Sequence, residues 1–201
     1  MAEQSKFSKI LEKNRVELAQ LQGKSSGWFD SKVLAMRDVR EMRAETLLRG
    51  DAESKGNRII PGHMYMFLYD PKHKETLPYY DMFPLVFPFS AEPGGFRGIN
   101  LHYLDYRTRA LLLDRLMEFR TNKSMDETTR LRLSWQLLSG LSRFAIAQPC
   151  VKHYLYSHVR SPFKAVNSSD WATAMLVPME RFAKASRAQV WAESNKIIRK
   201  P

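Results

Sequence analysis

Five histidines, His63, His73, His102, His153 and His158, and one cysteine, Cys150, are the side chains of this 201-residue sequence best suited to hold a metal or move a proton. Cys150 and His153 stand three apart, a spacing that one helical turn would bring onto a single face. They supply only two ligands, and no second Cys or His pair stands at zinc spacing, so no metal and no cofactor are expected. His153 and His158 are five apart, which turns them away from each other on a helix. A single cysteine cannot close an internal disulfide, in agreement with a reducing compartment, and Cys150 reads as a small buried hydrophobe rather than a nucleophile.

His102, in INLHYL, falls in an expected strand where it shares a face with Asn100 and Leu104. It could serve as a general acid or base, with Arg97 as a phosphate-binding neighbour. The alternative is a half-buried histidine bonded to backbone, and it is favoured because no Ser or Cys nucleophile and no carboxylate pair stands ready to use the ring. No catalytic residue is assigned. The glycines of AEPGGFRG lack both a P-loop lysine and the G-x-G-x-x-G spacing, so they read as a turn between strands. The LPYYD segment ending at Asp81 also reads as a turn; its tyrosines could stack on bases or on a protein partner, although core packing is their commoner fate.

Charge points more clearly to a partner. Residues 105–201 carry 17 basic against 8 acidic side chains, a net +9, whereas residues 61–104 are close to neutral at −1. A basic half favours a polyanion, and phosphate binding needs Lys and Arg on one surface rather than in one run. The candidates are Arg130, Arg132, Arg143, Lys152, Arg160, Lys164, Arg181, Lys184 and Arg187, with Tyr154, Tyr156 and Trp171 as possible stacking rings. No recognised DNA- or RNA-binding signature is present, so any binding would be backbone-directed and tolerant of sequence.

The elements that would position these groups follow from periodicity. Residues 1–22 place Phe7, Ile10, Leu11, Leu18 and Leu21 at helical spacing, and a second, largely charged helix is expected up to Leu48. The apolar runs Met64 to Tyr69, Leu85 to Phe89 and Phe96 to Tyr103 predict a mainly antiparallel β unit over residues 62–104, with an SH3-like barrel as a candidate topology. A helix is expected over Tyr106 to Arg120. Ser124, three residues before Glu127, suggests a capping box for a central buried helix reaching Ala147, with Trp135, Leu138 and Leu141 inside, together with Phe67, Val86 and Leu101 of the β unit.

Beyond Pro149 the expectations are a short helix from Cys150 to Val159, a strand at Phe163 to Val166, a helix at Trp171 to Leu176 capped by Ser168 or Ser169, and another from Met179 to Ala185. The final basic stretch is expected to be loosely attached. The chain thus reads as an α+β protein: an N-terminal helical extension and linker (1–58), a core domain (59–185) and a basic tail (186–201). No run approaches the roughly 20 apolar residues needed to cross a bilayer, and the N-terminus lacks the apolar core of a signal peptide, so a cytoplasmic location is expected.

The segments GHMYMFLYDPKHKETLPYYDMFPLVFPF and GFRGINLHYL, then RALLLDRLMEFRTNKSMDETTRLRLSW, CVKHYLYSHVRSPF and DWATAMLVP, resemble small virion-associated proteins of T4-like tailed bacteriophages over residues 60–180. Within them the chain is similar to the DNA-end protector family, whose members sit on the ends of packaged DNA. The resemblance implies a non-enzymatic protein of the host cytoplasm and virion whose partner is double-stranded DNA at the genome ends, with no small-molecule ligand. It would also fit a neck, tail or baseplate component that contacts other phage proteins through the N-terminal helices. A ribonuclease built on an SH3-like barrel, using His102 and Arg97, is the reading from a different class.

Overall fold

A computed structural model describes residues 59–121, 124–142, 147–176 and 180–199. The expected N-terminal helices lie outside these residues. The elements run β1 (Met64–Met66), β2 (Tyr80–Asp81), β3 (Leu85–Glu92), β4 (Gly95–Asn100), α1 (Tyr106–Thr121), α2 (Glu127–Leu141), β5 (Val151–Leu155), β6 (Lys164–Val166), α3 (Trp171–Leu176), β7 (Phe182–Ala183) and α4 (Arg187–Ile198).

The sheet has the order β5-β4-β3-β1-β6, and every pairing in it is antiparallel. The expected α+β class and the antiparallel β unit are therefore present, but the sheet also recruits β5 and β6 from far downstream. Among the described residues it is open, with β5 and β6 at its edges, so the closure of an SH3-like barrel is not formed. At the β3–β4 hairpin, Glu92 faces Gly95 across Pro93 and Gly94, and Gly94 takes φ +70°. Pro fixes φ at the first central position and Gly supplies positive φ at the second, the residue choice of a type II turn.

Alternation divides the sheet into two faces. Met64, Met66, Leu85, Phe87 and Ile99 join the larger core with Ala110, Leu113 and Leu116 of α1, Leu138 of α2, Trp171 of α3 and Val190 of α4. Phe67, Val86, Phe96 and Tyr154 form a second cluster on the opposite face, closed by Val159 and Phe163. The Phe67 ring meets Phe163 at 4.9 Å and Tyr154 at 5.2 Å edge to face, while Phe96 stacks on Tyr154 at 5.3 Å.

Several expectations are corrected. α2 begins at Asp126 rather than Ser124: the Asp126 carboxylate accepts from Thr129 N–H at 2.9 Å and from Thr129 Oγ1 at 2.7 Å, and its charge also suits a helix N-terminus. α1, not α2, is the deeply buried helix. Arg109, Ala110, Leu113 and Leu116 are inaccessible, whereas α2 buries only Ser134 and Leu138, leaves Leu141 partly covered and exposes 44% of Trp135. Leu138, Phe67, Val86 and Leu101 are buried as expected.

The segment expected to be helical after Cys150 is strand β5 followed by a single 3-10 turn, Tyr156–His158. Ladder bonds to β4 outweigh a helical reading that rested on few apolar residues. The expected helix from Met179 to Ala185 is instead the strand β7, paired with β2; residues 177–179 lie outside the description. Ser168 and Ser169 lie with Asp170 in a 3-10 turn, entered from Asn167, that leads directly into α3. The stretch expected to hang loosely is α4, opened by a capping box between Ser186 and Gln189 and anchored by buried Val190.

Candidate nucleic-acid interface

Asp81 enters the interior because β2 pairs with β7, placing Asp81 opposite Phe182. His102 Nδ1 donates to Asp81 Oδ2 at 2.7 Å, Asn100 Nδ2 donates to the same oxygen at 3.0 Å, and Phe83 N–H donates to Oδ1 at 3.0 Å. Asn100 also bonds Tyr154 Oη at 3.0 Å and, through Oδ1, accepts from His102 N–H at 3.0 Å. The carboxylate thus accepts three hydrogen bonds, and both side chains of the His–Asp pair are buried, at 0% and 2% exposure. The sequence around His102 offers no carboxylate partner, and the fold supplies one, Asp81, 21 positions upstream. No hydroxyl or thiol nucleophile bonds the ring among the described residues, and His102 Nε2 is buried without a partner. Arg97 does not join it. That side chain is exposed and pairs with Glu92 at 3.2 Å.

One layer outward, this network floors a cleft of about 450 Å³ between the 69–81 segment, Tyr103 and β5. Its polar lining includes Lys72, His73, Tyr80, Asp81, Lys152 and His153. Lys152 Nζ lies 4.0 Å from the Tyr103 ring centroid, and burial holds the amine below its usual pKa. Burial and then the neighbouring Asp81 push the Tyr103 phenol upward, so it stays protonated. Tyr69 accepts Leu155 N–H at 3.2 Å, tying the start of the segment to β5.

The nine basic candidates do not form one patch of free cations. Lys184 Nζ donates to the carbonyls of Lys74, Glu75 and Leu77 at 2.6, 2.9 and 3.2 Å and thereby pins the rim of the cleft. Arg187 bonds Tyr106 Oη at 3.0 Å and reaches Glu180 at 3.4 Å. Arg160 is exposed and sits 3.7 Å from Asp70, and Arg181 lies over the Phe83 ring at 5.2 Å. Arg132 and Lys164 are exposed, Arg130 is half-buried on α2, and Arg143 lies outside the described residues. Of the three stacking candidates, Trp171 and Tyr154 are core residues and Tyr156 is 48% exposed.

Sequence reasoning also missed Arg109. This inaccessible guanidinium bonds Glu180 and donates to the carbonyls of Leu104, Met175 and His102 at 2.8, 3.3 and 3.3 Å. Its only sequence signal was an arginine on the apolar side of a helix. Cys150 is inert as expected: it is buried, its thiol donates to Ala147 O at 3.1 Å, and burial pushes its pKa up to about 12.

A comparison with protein families matches residues 5–200 to the model of the Phage T4 terminal DNA protecting protein. The chain belongs to that family. The match includes residues 5–59 and the C-terminal helix, beyond the 60–180 stretch that carries the sequence resemblance. No curated protein and no solved structure matches the chain. In this chain the His–Asp pair is buried beneath the cleft, and the cleft with its two lysines is the feature open to a partner.

Proposed function

We propose that this protein binds the ends of linear phage DNA without regard to sequence and shields them by occupancy rather than by chemistry. The observation that carries the reading is membership of the terminal DNA protecting family over residues 5–200. The charge distribution supports it, with a net +9 in residues 105–201. Of the nine candidate cations, Arg132, Arg160, Lys164 and Arg181 are exposed and Arg130 and Lys152 are partly covered, and these six are the ones assigned to phosphate contacts. Lys184 and Arg187 support the interface from within, and Arg143 is assigned to it on charge alone. Shielding needs no catalytic group: a protein seated on the terminal base pairs denies an exonuclease its substrate.

The test is an electrophoretic mobility shift with linear duplex against circular DNA of the same length. For about six contacted phosphates, affinity should fall roughly 10³-fold between about 50 and 200 mM salt. Linear DNA should bind more tightly than circles. Absence of binding at the lower salt would end the DNA reading, and equal binding to circles would end its restriction to termini. The same reading places the protein in the host cytoplasm and then in the virion, so mass spectrometry of purified particles should detect it.

A further inference from the structure

We propose that the cleft between the 69–81 segment and β5 is the receptor for a single terminal nucleotide bearing a 5′-phosphate; the proposal rests on the DNA-end reading. At about 450 Å³ the cleft lies in the size range of small-ligand sites. A duplex, whose major groove alone is about 12 Å wide, cannot enter it, but one frayed nucleotide can.

Its lining matches the two halves of a nucleotide. Tyr80 is half-buried at the cleft, and among the described residues its ring makes no aromatic contact, which leaves a face for a base. Base stacking on such a ring contributes about 1–3 kcal/mol and tolerates any sequence. Lys72 and Lys152 provide the cationic side, with the His73 and His153 rings beside them in the lining. Among the described residues the only lining carboxylate is Asp81, which is buried in the cleft floor and held by His102, Asn100 and the Phe83 amide, so it forms no direct ion pair with Lys72 or Lys152. Lys152 is informative in this respect. Its amine is held against an aromatic ring, with no ion pair to a carboxylate among the described residues, an arrangement that an incoming anion would complete.

A terminal phosphomonoester carries about −1.5 to −2 charge at neutral pH and three acceptor oxygens, against one charge on an internal diester. A partly desolvated lysine therefore discriminates an end from the interior of a strand by charge as well as by access. The cleft is also preformed. Lys184 fixes its rim through three carbonyls, and Tyr69 ties the other side to β5.

The experiment measures fluorescence anisotropy of a 3′-labelled duplex prepared with either a 5′-phosphate or a 5′-hydroxyl, at about 50 mM salt, with wild type, Lys152→Met and Lys72→Ala. Wild type should prefer the 5′-phosphate by roughly tenfold, and both variants should lose most of that preference; Lys72→Ala, which lies outside the cations assigned to general phosphate contacts, should still bind circular DNA as before. Because Lys152 is a desolvated charge, Lys152→Met should unfold at the same temperature as wild type or higher, which a merely structural residue would not do. Lys72 is exposed, so its substitution tests the site with the fold intact. Equal wild-type affinity for the two duplexes, or variants that keep the preference, would overturn the cleft assignment and leave end binding standing. Failure to bind either duplex would overturn both.

Discussion

Trp135 Nε1 donates to the carbonyl oxygen of Phe89 at 2.7 Å, and Phe89 is the residue at which the β3–β4 register slips, between Pro88 and Ser90. The two facts explain each other. Pro88 brings no N–H to the ladder, a bulge follows, and the carbonyl thus released is satisfied by the indole of α2. Trp135 stays 44% exposed because it serves as a hydrogen-bond donor at the sheet border rather than as filler.

Trp135→Phe should therefore cost about 1 kcal/mol, the usual worth of one hydrogen bond, rather than the larger cost of emptying a core site. Urea unfolding is the measurement. An unchanged midpoint would mean that water replaces the indole without loss.

Gly140 sits in the last turn of α2, where an added Cβ meets nothing within 4 Å. Gly140→Ala should then stabilise the protein by about 0.5–1 kcal/mol, because the unfolded chain loses freedom and the helix gains propensity. Thermal unfolding would show it as a rise in midpoint; a fall would imply a neighbour that closes on this position.

How far the sequence reached depends on what it was asked. α1 and the cores of β3 and β4 were legible, because Leu112, Leu113 and Leu116 repeat at helical spacing and the Pro93-Gly94 turn separates two apolar runs. β5 was not: Val151 to Leu155 buries only Tyr154 and shows no alternation, and its partner Gly98 faces Lys152 from 54 positions upstream. The site failed for the same reason. Asp81 and His102 are unremarkable in their own segments, and only the β2–β7 pairing draws the carboxylate inward. Lys184 and Arg187 misled in the opposite direction, since charge composition counts every cation alike and cannot tell one that holds backbone carbonyls from one that faces solvent.

The Arg109–Glu180 pair should make the protein acid-sensitive. Burial by itself would raise the Glu180 pKa, but Arg109 beside it, with His102 and backbone bonds, brings it below the ordinary 4.5. A carboxyl depressed by folding contributes stability that is present above its unfolded pKa and lost as pH falls through the folded value. The unfolding midpoint should accordingly drop steeply below about pH 4.5. Glu180→Gln, which strands a buried guanidinium, should cost about 3 kcal/mol at neutral pH, and its difference from wild type should shrink in acid. A variant parallel to wild type at every pH would refute the assignment.

Lys184 combines φ +70° with an amine that bonds three carbonyls. Lys184→Met removes the bonds and keeps the backbone strain, whereas Lys184→Gly removes both, so Gly should be the less destabilising change by about 1 kcal/mol. In both variants the amide of Leu77, which donates to His73 O at 3.0 Å, should exchange its hydrogen faster than in wild type. Unaltered exchange would show that the rim holds itself without the amine.

The sheet order has a consequence for synthesis. Met64 of β1 pairs with Val166 of β6, and Trp191 of α4 donates to His102 O at 2.8 Å, so the middle of the molecule waits for a strand and a helix that are made long after it. A nascent chain that has emerged only to Pro149 presents the β3–β4 hairpin and β1 with unpaired edges on both sides, the condition under which strands pair with the wrong neighbour. At about 5–20 residues per second, the interval from β1 to β6 occupies several seconds on the ribosome. Folding of the sheet is therefore held back until β6 and α4 have emerged, and a stop before β5 yields an aggregation-prone fragment instead of a smaller version of the protein.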